Sequence, residues 1–376
     1  MSNAGASASA FPLPRQRLIG PFPPPTGGVA VAALTVRRAL EGAGYEVECF
    51  DTSAHAARED IYRARGGGAV LRNLSLVARL SRWHRAGARP DDVFHVFVTS
   101  DRAFARDEIF LRLLRAARCR IIVHLHSKTA GEYWVEPGRL DRFGRGLSLG
   151  GRVIVLSEGH RDFFARHVAP AKLAVLENFV ISADFEAPVA APATRFLYLS
   201  RISEMKGTWE LLRAAAELVK AGEGPSFQVT IAGTCDTDRT QSDMQAFVAA
   251  SGLGGVVTFA GHVEGAAKTA LFRDHGVFVF PSRFENSPIT LKEATQAGMA
   301  VVASDIRANA DILDRTGNAV YFTAGDPEAL ARRMAAVMAD AALYARLREA
   351  ARAGAKFDEH YALPVIRDII RDLRAG

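Results

Sequence analysis

Twelve short apolar runs, separated by longer stretches with a helical repeat, are the feature that most limits what this chain can become. They span 17–19, 46–50, 93–98, 121–124, 152–156 and 172–176, then 196–199, 228–231, 256–259, 277–280, 300–303 and 319–322. Most are continuously apolar instead of alternating, which predicts strands buried on both faces of a parallel sheet. Helical patterns occupy 28–41, 108–116, 208–221, 243–250, 264–273 and 289–297. Two βα arrays in succession predict an α/β fold of two Rossmann-like, doubly wound parallel-sheet domains. Residues 183–194 have neither period and carry Pro188 and Pro192, which reads as the linker between them. Near the C-terminus, Val365, Ile366, Ile369, Ile370 and Leu373 recur at helical spacing.

Composition narrows the class. With 376 residues and 49% hydrophobic content, each half can bury a core without staples. Cys49, Cys119 and Cys235 lie far apart, so neither a disulfide framework nor a structural zinc site is expected, and a reducing compartment fits. The first ten residues are small and polar, unlike a signal peptide, and Met1 to Ala4 read as a cloning remnant. No apolar run reaches the ~18 residues of a membrane span. The expectation is therefore a cytoplasmic protein.

Charge is unevenly spread. Residues 1–180 hold 26 Lys and Arg against 17 Asp and Glu, a net of +9, and the remainder brings the chain to +6. A basic first half suggests an anionic partner. Residues 61–90 contain seven arginines and no acid, with Val70, Leu71, Leu74, Val77, Leu80 and Trp83 at near-helical spacing. Two readings stand: a basic amphipathic helix touching an anionic membrane at the inner face, or a sheet-covering helix with a solvated basic side. Gly66 to Gly68 before it read as a loop. The Asp236-Thr237-Asp238 triplet reads as a solvated loop.

Two segments carry chemistry, each a strand running into a loop and then a helix. After 196–199 come Ser200, Arg201, Lys206 and Gly207, where two cations beside a helix start can neutralise a diphosphate. After 277–280 come Glu285, Asn286, Ser287, Pro288, Ile289, Thr290 and Glu293. Here helix-start amides from Ser287 to Thr290 suit hydroxyl or anionic groups, Glu285 can accept from sugar hydroxyls, and Glu293 can accept from a ribose diol.

The order Ser-Arg-x4-Lys-Gly, then Glu-x7-Glu about 80 residues later, resembles the retaining nucleotide-sugar glycosyltransferases of glycosyltransferase family 4, which have the GT-B fold. The segment Ile19 to Val29, with Gly27 and Gly28, resembles that family's first strand and glycine loop. The resemblance implies residues 17–180 as an acceptor-binding domain, residues 181–359 as a nucleotide-sugar-binding domain, and helix 360–376 packing back on the first. Residues 1–16 would be a flexible end. It further implies that Arg201 and Lys206 hold the donor diphosphate, Glu285 the sugar and Glu293 the ribose. Gly261, His262 and Val263 would contact the base, Gly233 would lie beneath the nucleotide, Gly27 and Gly28 would admit diphosphate and acceptor, and His126 would stand near the transferred sugar.

The implied reaction moves a hexosyl group from a UDP- or GDP-sugar to a hydroxyl acceptor on a glycan or lipid-linked glycan, in polysaccharide, lipopolysaccharide or glycolipid synthesis. It needs neither cofactor nor metal, since side chains and helix ends supply the charge. The chain departs from the pattern at Ser127, at Asn178-Phe179 and in the loop after Glu285, which leaves the sugar open. The alternatives are a GT-B epimerase or phosphorylase, or a basic nucleic-acid-binding protein; no RRM-like or helix-turn-helix signature supports the last, so no nucleic-acid partner is expected.

Overall fold

The computed structural model describes residues 13–23, 27–53, 67–99, 104–127, 138–185, 191–222, 226–235, 237–354 and 356–375. Its first sheet contains β1 (Gln16–Gly20), β2 (Val47–Asp51), β3 (Val93–Val98), β4 (Arg120–Leu125), β5 (Arg152–Val155) and β6 (Leu173–Val175), in the order β2-β1-β3-β4-β5-β6. The second contains β7 (Arg195–Leu199), β8 (Gln228–Ala232), β9 (Val257–Gly261), β10 (Val277–Phe280), β11 (Ala300–Ser304) and β12 (Ala319–Phe322), in the order β12-β11-β10-β7-β8-β9. The strand pairs are parallel. Each apolar run is thus a strand, displaced by two residues or fewer at its ends.

The chain divides into two compact units, residues 1–177 with 360–376, and residues 178–359. In the first, α1 (Gly28–Gly42) follows β1, and α2 (Gly67–Gly87) and α3 (Phe104–Ala116) flank β3. Phe94 and Val96 of β3 cluster with Leu76 and Leu80 of α2 and Phe110 and Leu111 of α3. Both faces of β3 are covered, since all six of its residues are buried, and this explains why the run does not alternate with exposed polar residues. Short helices α4 (Arg139–Leu147) and α5 (Glu158–Phe164) complete the layer.

The second unit places α6 (Thr208–Ala221), α7 (Asp238–Ala250), α8 (Gly265–Asp274), α9 (Ile289–Gln296), α10 (Arg307–Thr316), α11 (Pro327–Ala339) and α12 (Ala341–Ala353) around its sheet. The last helix, α13 (Glu359–Ala375), returns to the first unit. There Arg152 donates to Asp372 at 3.3 Å, and Gly151 leaves the space that Leu373 fills.

Several expectations need correction. Residues 13–16 are part of the fold, not a flexible end: Gln16 opens β1, and buried Arg15 donates to both carboxylate oxygens of Asp92. The chain crosses between units at 177/178, ahead of the 183–194 segment. Residues from Asn178 on are already fixed to the second unit, because Val180 bridges Asp358 and Ser182 donates to both oxygens of Glu359. Gly67 and Gly68 are helical, as the opening of α2. In the Asp-Thr-Asp triplet, Thr237 is an exposed N-cap that accepts from the Thr240 amide, as a solvated loop residue can, but Asp238 already opens α7. Residues 1–12, 61–66, 186–190 and Asp236 lie outside the described residues.

On the other face of β3, His95 heads a buried polar chain. The Gln16 amide donates to the Pro14 carbonyl at 2.6 Å, so its oxygen accepts from His95 Nε2 at 2.9 Å. His95 Nδ1 then accepts from His124 Nε2 at 2.8 Å. This pattern requires His95 to be neutral, since its Nδ1 accepts, and burial holds His95 down to about 3 and His124 well below the ordinary histidine value. In the unfolded chain both rings take up protons below about pH 6.5. The neutral-ring contribution is therefore complete above that pH and is lost as pH falls toward the folded values. Each ring should cost about 1.4 kcal/mol of stability per pH unit across this window. Denaturant unfolding of the full chain from pH 7.5 to 4.5 should show at least this slope, since burial also lowers His126 and His160 to about 4; a flat profile would contradict the buried neutral pair.

Candidate functional site

The second sheet begins at its centre. The chain runs outward from β7 through β8 to β9, then returns to place β10 on the opposite side of β7. Open α/β sheets bind ligands outside the carboxyl ends of strands at such a reversal. The loops leaving β7 and β10 carry the two charged motifs, so topology alone brings sequence-distant groups to one edge.

Their closest junction is an ion pair, Lys206 Nζ to Glu285 Oε1 at 2.6 Å, with both side chains largely buried. The backbone makes this approach possible. Gly207 adopts φ +72°, and a methyl group there would collide with the Pro281 carbonyl. Only glycine meets both conditions without strain. The Arg283 amide donates to the Met205 carbonyl at 3.0 Å, and the Arg283 guanidinium pairs with Glu210, a buried acid of α6. Arg201 sits exposed on the same loop as Lys206.

Neighbouring strand ends extend the edge. The Ser200 amide donates to Ala232, and Gly233, at φ +145°, lies so close beneath the Ser200 carbonyl that any side chain would strike it. The Gly233 amide in turn donates to Gly261 at 2.7 Å. His262 is exposed and paired with Glu264 at 2.7 Å, and Val263 packs half-buried against the Phe272 and Phe278 cluster.

On the β10 side, α9 starts at Ile289 with Pro288 as N-cap and no side-chain cap. The Ser287 hydroxyl accepts from the Asn178 amide at 3.3 Å and from Lys292 at 3.2 Å, while its carbonyl accepts from the Asn178 side chain at 2.8 Å. That side chain therefore braces the loop. Pro288 has no N–H, so the stretch of helix-start donors expected from Ser287 to Thr290 is interrupted, with Ile289 and Thr290 supplying the first amides of the helix. Asn286 is half-buried between Glu285 and Ser287.

Glu293 is buried one turn into α9. Its Oε1 accepts from Lys268 of α8 at 2.6 Å, and its Oε2 is buried with no hydrogen-bond partner among the described residues. An orphaned buried acceptor is costly unless something supplies a donor. The carboxylate thus has one oxygen paired within the protein and one that no described residue satisfies. Its charged partner is Lys268 instead of either motif cation.

The remaining candidates belong to the first unit. Gly27 caps α1 and Gly28 is its first residue; both are exposed, and an added methyl would meet nothing within 4 Å among the described residues. His126 follows β4, donates its amide to Val98 at 2.9 Å, and stacks on Phe97. Burial lowers its ring to about 4, so it is neutral at physiological pH.

Sequence reasoning missed Lys268, Glu210 and Arg283, and Asn178 with Lys292. Lys292 is fully buried in α9 and donates to the Asn178 carbonyl at 2.7 Å. A lysine next to Glu293, between Leu291 and Ala294, was the available signal. Lys268 and Glu210 carried none, because their partners come from other βα units.

Comparisons with known proteins bear on these residues. The glycosyl transferases group 1 family profile matches residues 183–354. A GDP-mannose:cellobiosyl-diphosphopolyprenol alpha-mannosyltransferase from Xanthomonas oryzae pv. oryzae is 32% identical over 187 residues, 50% of this chain and 48% of that protein. The chain thus spans about half the length of the curated relatives it matches first. A phosphatidyl-myo-inositol mannosyltransferase from Mycolicibacterium smegmatis is 26% identical over 334 residues, covering 84% of this chain and 82% of that one. Among solved structures, sucrose-phosphate synthase from Thermosynechococcus elongatus superposes with a TM-score of 0.75 at 19% identity, over 96% of this chain and 99% of its own. Anabaena HepE in complex with UDP and glucose gives 0.71 at 17%, over 96% and 100%.

Proposed function

We propose, from the premise that residues 183–354 belong to the glycosyl transferases group 1 family on a GT-B fold, that this protein is a retaining hexosyltransferase using a nucleotide-sugar donor. The observation that carries the reading is the Lys206–Glu285 pair at the β7/β10 reversal, with Glu293 deeper in the same unit holding one acceptor oxygen unmet. GDP-mannose is the first donor to test, since the Xanthomonas protein is named for it and the Mycolicibacterium protein is a mannosyltransferase. The acceptor is a hydroxyl of a glycan or lipid-linked glycan. Neither of these relatives is an epimerase or a phosphorylase.

The chemistry follows from the charges. Lys206 and Arg201 take up the negative charge that grows on the departing diphosphate, assisted by the uncapped starts of α6 and α9. Fixed cations do here what a metal ion does elsewhere. Lys206 exchanges its Glu285 partner for phosphate, which frees Glu285 for the sugar hydroxyls. Glu293 accepts from the ribose through Oε2, and Gly233, His262 and Val263 border the nucleotide. The acceptor oxygen bonds to the anomeric carbon on the face that the diphosphate leaves, and its proton passes to the leaving phosphate oxygen. The products are the glycoside and a nucleoside diphosphate.

Peripheral membrane contact through residues 61–90, at the cytoplasmic face, belongs to the same proposal. No helix among the described residues is long and apolar enough to cross a membrane. Leu76 and Leu80 of α2 are buried in the core, but Leu71 and Leu74 are 70% and 59% exposed beside arginines, with no acid in the helix. This divides α2 between the two sequence readings, with a core-facing stripe and an apolar, basic outer edge.

Lys206→Ala should lower kcat/KM for GDP-mannose about a hundredfold, the usual loss when one group stabilising developing negative charge is removed. Glu293→Gln should raise the donor KM about tenfold, the factor for losing one charge-assisted bond. Circular dichroism should stay unchanged, and EDTA should leave turnover intact. Wild-type rates in both variants would remove these residues from the mechanism. In co-sedimentation, phosphatidylglycerol vesicles should retain the protein better than phosphatidylcholine ones, and Leu71→Glu with Leu74→Glu should abolish the difference. Equal retention of wild type on both lipids would refute the membrane contact.

A further inference from the structure

β7 is apolar from Phe196 to Leu199 except for one hydroxyl. Tyr198 is fully buried, its ring packed with Phe196, Leu211 and Val277 in the core of the second unit. Its phenol oxygen emerges directly under the loop that carries Arg201 and Lys206. It donates to the Arg201 carbonyl at 2.8 Å, and the Lys206 carbonyl stands 3.4 Å away. The Thr208 hydroxyl, also fully buried, lies 3.0 Å from the same oxygen and 3.4 Å from the Ser203 carbonyl.

A phenol has one proton. With that proton given to Arg201, Thr208 is the donor to the Tyr198 oxygen. The two hydroxyls form a short polarised relay from Thr208 through Tyr198 to the Arg201 carbonyl, of the kind that strengthens in a low-dielectric interior. The Tyr198 oxygen therefore holds the Arg201 end of the cation loop directly and its far end through Thr208, two residues beyond Lys206. Nothing else in the strand could do this, because Leu197 and Leu199 face the other cluster and have no polar group.

We propose that Tyr198 is a positioning residue for diphosphate recognition, fixing where Arg201 and Lys206 present their charges. The inference rests on the donor-site reading above and adds to it a residue that touches no substrate. Its effect is specific: the ring supplies core volume, while the hydroxyl supplies loop geometry. Tyr198→Phe separates the two, because it keeps the ring.

The test is calorimetric binding of GDP and UDP to the full chain, alongside thermal unfolding and donor kinetics, for wild type, Tyr198→Phe and Thr208→Val. The affinity of whichever diphosphate binds should fall about three- to tenfold in Tyr198→Phe, the range for losing one neutral hydrogen bond's ordering. Thr208→Val should lose less, and kcat should fall with affinity, because the same cations stabilise the departing diphosphate. Wild-type affinity and kcat in Tyr198→Phe, even with a lowered melting temperature, would show a purely structural hydroxyl and overturn the proposal. Failure of the wild-type protein to bind either diphosphate would instead sink the donor-site reading on which it rests.

Discussion

The second unit is organised around one electrostatic contact, the pairing of Lys206 with Glu285 across the reversal of the sheet. Neither charge would be stable there alone, since both are largely removed from water and an isolated buried ion is expensive. Each supplies the other's counterion while remaining close to the surface that a ligand would reach. An anion displacing Glu285 from Lys206 replaces one neutralising partner with another, so the exchange need not leave a bare charge behind. The pair thus keeps a cation neutralised without burying it beyond reach.

Much of the surrounding structure serves this contact. Gly207 must be glycine for the loop to lie against Pro281, Arg283 anchors the β10 loop to Glu210 and to Met205, and Tyr198 supports the cation loop from within the core. Asn178, the first residue of the unit, is bound to Ser287 and Lys292. The loop after Glu285 is thereby fixed directly to the point where the chain enters the unit. Glu293 follows a similar economy, satisfied at one oxygen by Lys268 and unsatisfied at the other.

How much of this was legible follows from the range of each interaction. Doubly covered strands such as Val277–Phe280 declare themselves as unbroken apolar runs, because no residue in them can face water. The fold class follows from their alternation with helices. Ala341–Ala353 is less visible, because small apolar residues fall on every face and blur the stripe. The end of the N-terminal arm was misjudged because Arg15 looks solvated until its partner Asp92 is known. The charged motifs were legible because each sits in a strand-loop-helix context. Their braces were not: Arg283 and Glu210 are 73 positions apart, and no local pattern signals such a pair. A tyrosine inside an apolar strand is likewise indistinguishable from core until its hydroxyl is located.

The central claim is that Lys206 reads phosphate charge, as distinct from nucleoside shape. Calorimetry of GDP against GMP on wild type and Lys206→Ala measures this directly. The account predicts that wild type prefers the diphosphate and that the variant loses most of that preference while still binding GMP as before. If the variant weakened both nucleotides equally, or left the preference intact, the lysine would not be gripping the diphosphate and the account would be contradicted.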